Sequence, residues 1–304
     1  FLSVCWNHYV VRLSCCLRCL DDYYLIISGY SSNVYSLFAN VLHLLQNQIG
    51  LPVFCGENAI FGEHPQKMIN LSQYGEESIP QLGSASYKLT HTAQNGRGIY
   101  SFCMCPGGYV VNASSEPGML AINGMSYQKR DSENANSALI VTVTPEDYAS
   151  YGSSDIPEPL YGVAFQRELE KRAFEAGAGS IPVQLFADYK ENRISTQFGN
   201  ISPCMKGNYV FANVRSIFPN YIGDTIEKGI TAFGTKIKGY DSDDAIISGV
   251  ESRSSSPVRL IRGDDFQADI VGLYPCGEGA GYAGGIVTAA VDGIKCAIAV
   301  CEKE

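Results

Sequence analysis

Apolar positions along this chain follow two periods. Val163, Phe165, Leu169, Ala173 and Ala176 recur at helical spacing, with Gly177 and Gly179 after them, and predict a helix over Gly162–Ala176. Ile222, Ile226, Ile230 and Phe233 predict a second over Tyr221–Phe233, and a third runs from Gly285 to Cys301. Val34, Leu37, Phe38, Val41, Leu44 and Leu45 share a face of a further helix over Val34–Gln46. Ala138–Val143 is a continuous apolar run, the pattern of a strand covered on both faces. Tyr100–Val111 reads as two strands broken by Pro106-Gly107-Gly108. Met119–Met125, Ala245–Val250, Pro257–Ile261 and Ile270–Tyr274 are shorter strands. Residues 64–99 read as polar and turn-rich, Pro145–Pro159 as loop, and 180–208 as loop with one short strand. No repeat is visible, and the mixture of strands and helices gives an α/β class with an α+β middle.

Composition narrows this further. The 304 residues are 45% hydrophobic and 17% charged, enough to bury a core and too apolar for wholesale disorder. The net charge is −9 with no dense Lys/Arg run, so no nucleic-acid partner is expected. The first 60 residues hold only five charged side chains but five of the eleven cysteines. Three readings of that segment stand: a membrane segment, a buried helix, or the foreign end of a truncated product. Ser28, Asn33, Asn40, Gln46 and neighbouring polar residues leave no run of about 18 apolar residues, so no membrane span is expected. Eleven cysteines cannot all pair. Cys16 and Cys19 have CxxC spacing, but His8 and His43 are poorly placed to complete a metal site. Free thiols, no metal and a cytoplasmic location follow.

The chemically informative stretch is Gly272–Gly293, where seven of the 22 residues are glycine. Gly279, Gly281 and Gly284 fit G-x-G-x-x-G between a predicted strand and a predicted helix. Without Cβ atoms, the backbone N–H groups there can approach a pyrophosphate or flavin closely, and a helix N-terminus adds positive potential. The dinucleotide fingerprint also requires a second strand ending in an acid about 20 residues on, and the sequence reaches Glu304 before one can form. The segment therefore reads as the closing strand–turn–helix of such a fold, or as a helix start that only packs tightly.

Residues 272–286 (GLYPCGEGAGYAGGI) and Ala289-Ala290-Val291-Asp292-Gly293 resemble the C-terminal part of bacterial FAD-dependent dehydrogenases. These are also described as NAD-utilising dehydrogenases or FAD-dependent protein C-terminal domain proteins. Glu63-His64-Pro65-Gln66 to Tyr74, Tyr100–Tyr109 with Asn123–Ser126, and Gly249–Arg259 resemble the same family, so that the likeness covers about residues 63–302. It implies an FAD cofactor, NAD(P)H as an electron partner and a small-molecule substrate. It also implies three parts: an atypical segment 1–62, a substrate-side inserted domain 63–248, and 249–304 as the closing element of a Rossmann-like FAD-binding fold. The family carries its opening βαβ before this region, and residues 1–62 do not match it. That half is expected on a separate chain or a preceding segment.

Carried onto this sequence, the resemblance places Gly249, Glu251, Arg253, Gly277, Glu278, Gly281, Gly284, Gly285 and Ile286 at the cofactor. Glu278 would reach the ribityl or phosphate region, and Gly284, Gly285 and Ile286 would offer N–H groups to the flavin O2 edge. Arg253 or Arg259 would hold an anionic group, or form a structural ion pair. Cys103 and Cys105, a CxC beside a tight turn, and His91 are the candidate catalytic residues, with inert thiols and a structural histidine as the alternatives. His64 is a second candidate proton shuttle, and Asn134 and Asn136 suggest a polar pocket lining. The expected function is the C-terminal portion of an FAD-dependent oxidoreductase passing a hydride between a substrate and flavin; a fragment or interaction module that binds no FAD is the alternative.

Overall fold

A computed structural model describes residues 57–302, with short strand pairings at 18–19, 22–23, 25–27 and 49–50. The helix expected over 34–46 and Cys16 of the expected CxxC pair lie outside the described residues. The chain divides into two compact units, one of residues 57–143 with 166–254, the other including 144–165 and 255–302.

The first unit is built on strands β1 (Glu57–Pro65), β2 (Thr90–Thr92), β3 (Gly98–Cys105), β4 (Gly108–Asn112), β5 (Ile122–Ser126), β6 (Asn134–Thr142), β7 (Ile181–Leu185), β8 (Met205–Lys206), β9 (Tyr209–Phe211) and β10 (Ile246–Glu251). Seven form one sheet in the order β9-β7-β10-β1-β6-β3-β2, antiparallel throughout except for the β7/β9 pair. A second sheet, β8-β4-β5, pairs β8 with β4 parallel and β4 with β5 antiparallel. The helices in chain order are α1 (Gln66–Tyr74), α2 (Pro145–Tyr148), α3 (Tyr161–Ala176), α4 (Phe186–Lys190), α5 (Asn220–Gly234) and α6 (Ile286–Cys301). The mixed α/β class expected from the sequence is observed.

Sheet-central β1 and β6 hold the core, with Ala59, Ile60, Phe61 and Ala138–Val141 wholly buried. Each such branched or aromatic side chain contributes about 1.5–3 kcal/mol by leaving water. Helix α5 packs on this sheet through Ile222, Ile226, Ile230 and Phe233, the stripe its sequence announced. Gly229 brings it close, since a Cβ there would stand 2.5 Å from Ile99 Cδ1.

Several predicted boundaries shift. The segment 64–99, expected to be turn-rich throughout, opens with the end of β1 and the whole of α1. Glu63 and His64 are polar yet buried in a central strand, which hides the strand from an apolar pattern. Helix α1 ends at Gly75, whose φ of 79° lets its N–H return to Leu71 O at 3.0 Å. The expected 145–159 loop begins with α2, where the Asp147 carboxylate accepts the Thr144 N–H at 2.7 Å in a capping box. In the second unit, β11 is Arg259–Leu260 and β12 is Leu273–Pro275, both shorter than predicted. Among the described residues, no helix is long and apolar enough to cross a membrane, and no group of three or more His, Cys, Asp or Glu could hold a metal ion.

Candidate functional site

Strand β12 is fully buried and lies parallel to residues 25–27. The chain then turns through Cys276 and Gly277, the latter with φ 73°. Within the turn, Gly281 N–H donates to Glu278 O at 2.9 Å and Tyr282 N–H to Gly277 O at 3.1 Å. Gly281 is required twice over: its φ is 81°, and a Cβ there would meet Val258 O at 2.6 Å. Leu260 N–H donates to Ala280 O at 3.1 Å, and Tyr282 OH donates to Leu260 O at 2.8 Å, so the turn is laced to β11.

One side chain braces the whole turn. Arg262 donates through Nη2 to Asp292 Oδ1 at 2.7 Å and through Nη1 to Pro275 O at 2.6 Å, and its guanidinium stacks 3.7 Å from the Tyr282 ring centre. Asp292, one turn and a half into α6, accepts the Gly277 N–H at 2.8 Å. Burial works against the Asp292 carboxylate, but the bonds from Arg262 and Gly277 outweigh it and hold its pKa below the usual value. The ends of β12 and α6 are thereby fixed relative to each other.

The turn delivers the N-terminus of α6 without a side-chain cap. Gly285 is the N-cap at φ 104°, and no acid lies in the first turn. Glu278 reaches back, its Oε2 accepting the Gly285 N–H at 3.3 Å. A Cβ built on Gly284 meets nothing within 4 Å, and Ile286 and Val287 are 70% and 74% exposed. An open glycine cradle in front of a 16-residue helix, with N–H groups uncapped, fits an anionic or hydrogen-bond-accepting group such as a flavin edge or phosphate. Gly277, Glu278, Gly281, Gly284, Gly285 and Ile286 are thus brought together in one turn.

The other expected cofactor residues lie in the first unit. Gly249 is buried in β10, where a Cβ would stand 3.1 Å from Val214 Cγ1. Glu251 Oε1 accepts the Arg253 N–H at 2.9 Å. The Arg253 guanidinium forms a fork on Glu170 at 2.8 and 2.6 Å and donates to Ser115 Oγ at 2.8 Å. Ser252 Oγ donates to the same buried carboxylate at 2.5 Å. This is a satisfied internal ion pair tying β10 to α3. In the second unit, Arg259 lies over the Tyr282 ring at 4.3 Å.

Cys103 and Cys105 sit at the β3/β4 turn. Cys103 is exposed with φ 44°, and Cys105 donates to Cys103 O at 3.2 Å. Burial pushes the Cys105 thiol up to about 11, so it is protonated at neutral pH. His91, on edge strand β2, lines a cavity of about 430 Å³ with Thr90, Thr92, Gly98, Ile99 and Tyr100. His64 stacks on Tyr240 with ring centres 3.8 Å apart, and its Nε2 lies 2.7 Å from Tyr240 O. Burial lowers its pKa to about 4, and the ring is neutral.

The opposite face of β1 carries a polar cluster that the sequence only hinted at through Asn134 and Asn136. Glu63 pairs across the sheet with Asn136 on β6 and Ile246 on β10, and Phe61 pairs with Ser248, so their side chains share one face. Glu63 Oε2 accepts Cys204 N–H at 2.8 Å and Asn134 Nδ2 at 3.1 Å. Its Oε1, both amide atoms of Asn136 and Ser248 Oγ are buried without a protein partner. Gly124 of the second sheet closes over them, for a Cβ there would fall 2.3 Å from Asn136 Oδ1. Burial raises the Glu63 pKa to about 7, against the pull of its two hydrogen bonds. A carboxyl placed directly after the run Ala59-Ile60-Phe61-Gly62 was the available signal.

Residues 61–254 match the family described as FAD-dependent protein, C-terminal domain-like. The chain belongs to this family. The FAD-dependent C-terminal domain match covers the first unit from residue 61 onward together with residues 144–165 of the other, and ends before the glycine-rich turn. A protein of Clostridium beijerinckii (strain ATCC 51743 / NCIMB 8052), described as uncharacterized, is 50% identical over 246 residues, 79% of this chain. The chain spans 45% of that relative's length.

Proposed function

We propose that this chain forms the C-terminal portion of an FAD-dependent oxidoreductase, in which the turn from Cys276 to Ile286 contributes to the FAD site. The observation that carries the proposal is the uncapped N-terminus of α6 behind an open glycine cradle, joined to the family match. The N–H groups of Gly284 and Ile286 would bind and orient the cofactor by donating to its acceptor edge, while that of Gly285 is held by Glu278, and the α6 dipole would favour negative charge there. Glu278 positions this edge by holding Gly285. Gly277 and Gly281 set the backbone path, and the Arg262–Asp292 bracket keeps it rigid. Glu251 and Arg253 order the end of β10. When bound, FAD supplies the two-electron redox chemistry, with a small-molecule substrate and NAD(P)H as its exchange partners.

The surface of α6 supports the same reading. Val287, Val291, Ile294 and Ile298 are exposed at helical spacing, an apolar stripe suited to packing against further parts of an FAD-binding fold. The opening βαβ of that fold is supplied by another segment or chain. The test is to quantify flavin in the chain purified with the part of the protein that corresponds to the remainder of the relative, with and without Glu278→Ala. Stoichiometric flavin that weakens at least tenfold in the variant supports the proposal. No flavin in either preparation favours the alternative, an interaction module without cofactor.

A further inference from the structure

On one face of the main sheet of the first unit, Glu63 Oε1, Asn136 Oδ1, Asn136 Nδ2 and Ser248 Oγ are buried with no partner among the protein groups around them. Their three residues are wholly shielded from solvent. Register brings them together. Glu63 and Asn136 are directly opposed on β1 and β6, an arrangement that sets Cβ atoms about 4.5–5.5 Å apart. Ser248 on β10 pairs with Phe61, two residues from Glu63 along β1, and so occupies the diagonal position on the same face. The second sheet closes over this space. Glu63 Oε2 accepts the Cys204 N–H, and Cys204 O in turn accepts the Val110 N–H of β4 at 2.9 Å. Gly124 of β5 lies so near that a Cβ there would fall 2.3 Å from Asn136 Oδ1 and 2.5 Å from Phe61 Cε1. Only a very small occupant fits under it.

The bonding roles of the four atoms narrow the chemistry of that occupant. Glu63 Oε2 accepts twice, from Cys204 N–H and from Asn134 Nδ2, which leaves Oε1 to carry the proton of the neutral carboxyl and to donate. Asn136 offers N–H donors and a carbonyl acceptor whichever way its amide is turned, and Ser248 Oγ serves as either. The occupant must therefore both accept and donate. A monovalent cation cannot accept a hydrogen bond. Water does both, and a buried water makes about two to four such bonds.

We propose that Glu63, Asn136 and Ser248 form a buried hydration site, in which an ordered water bonds to Glu63 Oε1 and the Asn136 amide and joins them, directly or through a second water, to Ser248 Oγ. The water completes the hydrogen bonding of the polar cluster and fastens β1, β6 and β10 to one another beneath the second sheet. A bond that serves the neutral carboxyl agrees with the raised pKa of Glu63. The site lies within the first unit and does not depend on FAD binding.

The experiment is a crystal structure of the whole chain at a resolution that shows ordered water, and of Asn136→Leu, which keeps the shape of the side chain but offers no polar atom. The expected result in the parent chain is a water peak within about 2.5–3.2 Å of both Glu63 Oε1 and an Asn136 amide atom. The peak should be displaced or lost in Asn136→Leu. Direct hydrogen bonds among Glu63, Asn136 and Ser248 with no density between them overturn the proposal. A peak with oxygen neighbours alone and the Asn136 Nδ2 turned away marks a cation and overturns it as well. Both contrary results are read in the parent chain, so an Asn136→Leu chain that fails to fold does not rescue the proposal.

Discussion

Replacing Glu63 by glutamine tests the buried cluster on β1 most sharply. The folded-state carboxyl is half-protonated at about pH 7, whereas an unfolded chain presents a value of 4.5. A folded pKa above the unfolded one means that the native state holds its proton longer. The associated stability is complete below pH 4.5 and is lost as pH rises through 7. At about 1.4 kcal/mol per tenfold, that gap corresponds to about 3 kcal/mol lost by pH 8.5. Glutamine carries no charge to desolvate. Its carbonyl can accept from Cys204 N–H and Asn134 Nδ2 in place of Oε2, and its amide can donate toward Asn136 Oδ1. Urea unfolding followed by near-ultraviolet circular dichroism reports on the buried Tyr87, Tyr189 and Tyr240 of the same unit. The stability difference, variant minus wild type, should grow by about 3 kcal/mol from pH 4.5 to 8.5. A difference that stays flat across this range, or shrinks, refutes the reasoning that desolvation governs Glu63.

Four further outcomes are expected. Gly281→Ala forces a Cβ against Val258 O at positive φ and should lower stability by about 2 kcal/mol or more, read by thermal unfolding; Gly284→Ala, with open space around it, should change stability by less than about 0.5 kcal/mol. Asp292→Ala leaves Arg262 buried without its carboxylate and should cost about 3 kcal/mol, measured by urea titration, with a value near zero contradicting the bracing role. His64→Phe should keep the packing on Tyr240 while removing a ring whose folded pKa is about 4. The wild type should therefore lose stability relative to the variant as pH falls from 6.5 through 4, checked by acid unfolding. Alkylation of the native chain with iodoacetamide at pH 7.5 should modify Cys103 and Cys301 well before Cys105, whose thiol is protonated; rapid Cys105 labelling would count against that assignment.

Pattern reached some elements and not others for physical reasons. Helix α5 was legible because a helix covering a sheet must put Ile222, Ile226, Ile230 and Phe233 on one stripe. Strand β6 was legible because both its faces are buried. Strand β1 is just as central, but Glu63 and His64 break its apolar run, and the partners that make their burial tolerable, Cys204 and Tyr240, lie 141 and 176 residues away. The glycine-rich turn was visible from spacing, since positive φ and close backbone approach leave glycine little competition. The Arg262–Asp292–Gly277 bracket was not, because it joins residues that share no local period. The Arg253 fork likewise joins distant positions, for it meets Glu170, 83 positions earlier.

The central claim is that the turn before α6 is part of an FAD site. The most direct measurement is the absorbance spectrum from 300 to 550 nm of the chain purified together with the complementary portion of the protein. Flavin bands at about one FAD per complex, lost or weakened by Glu278→Ala without loss of folding, are the predicted result. A colourless complex that takes up no added FAD, with α6 folded, contradicts the account.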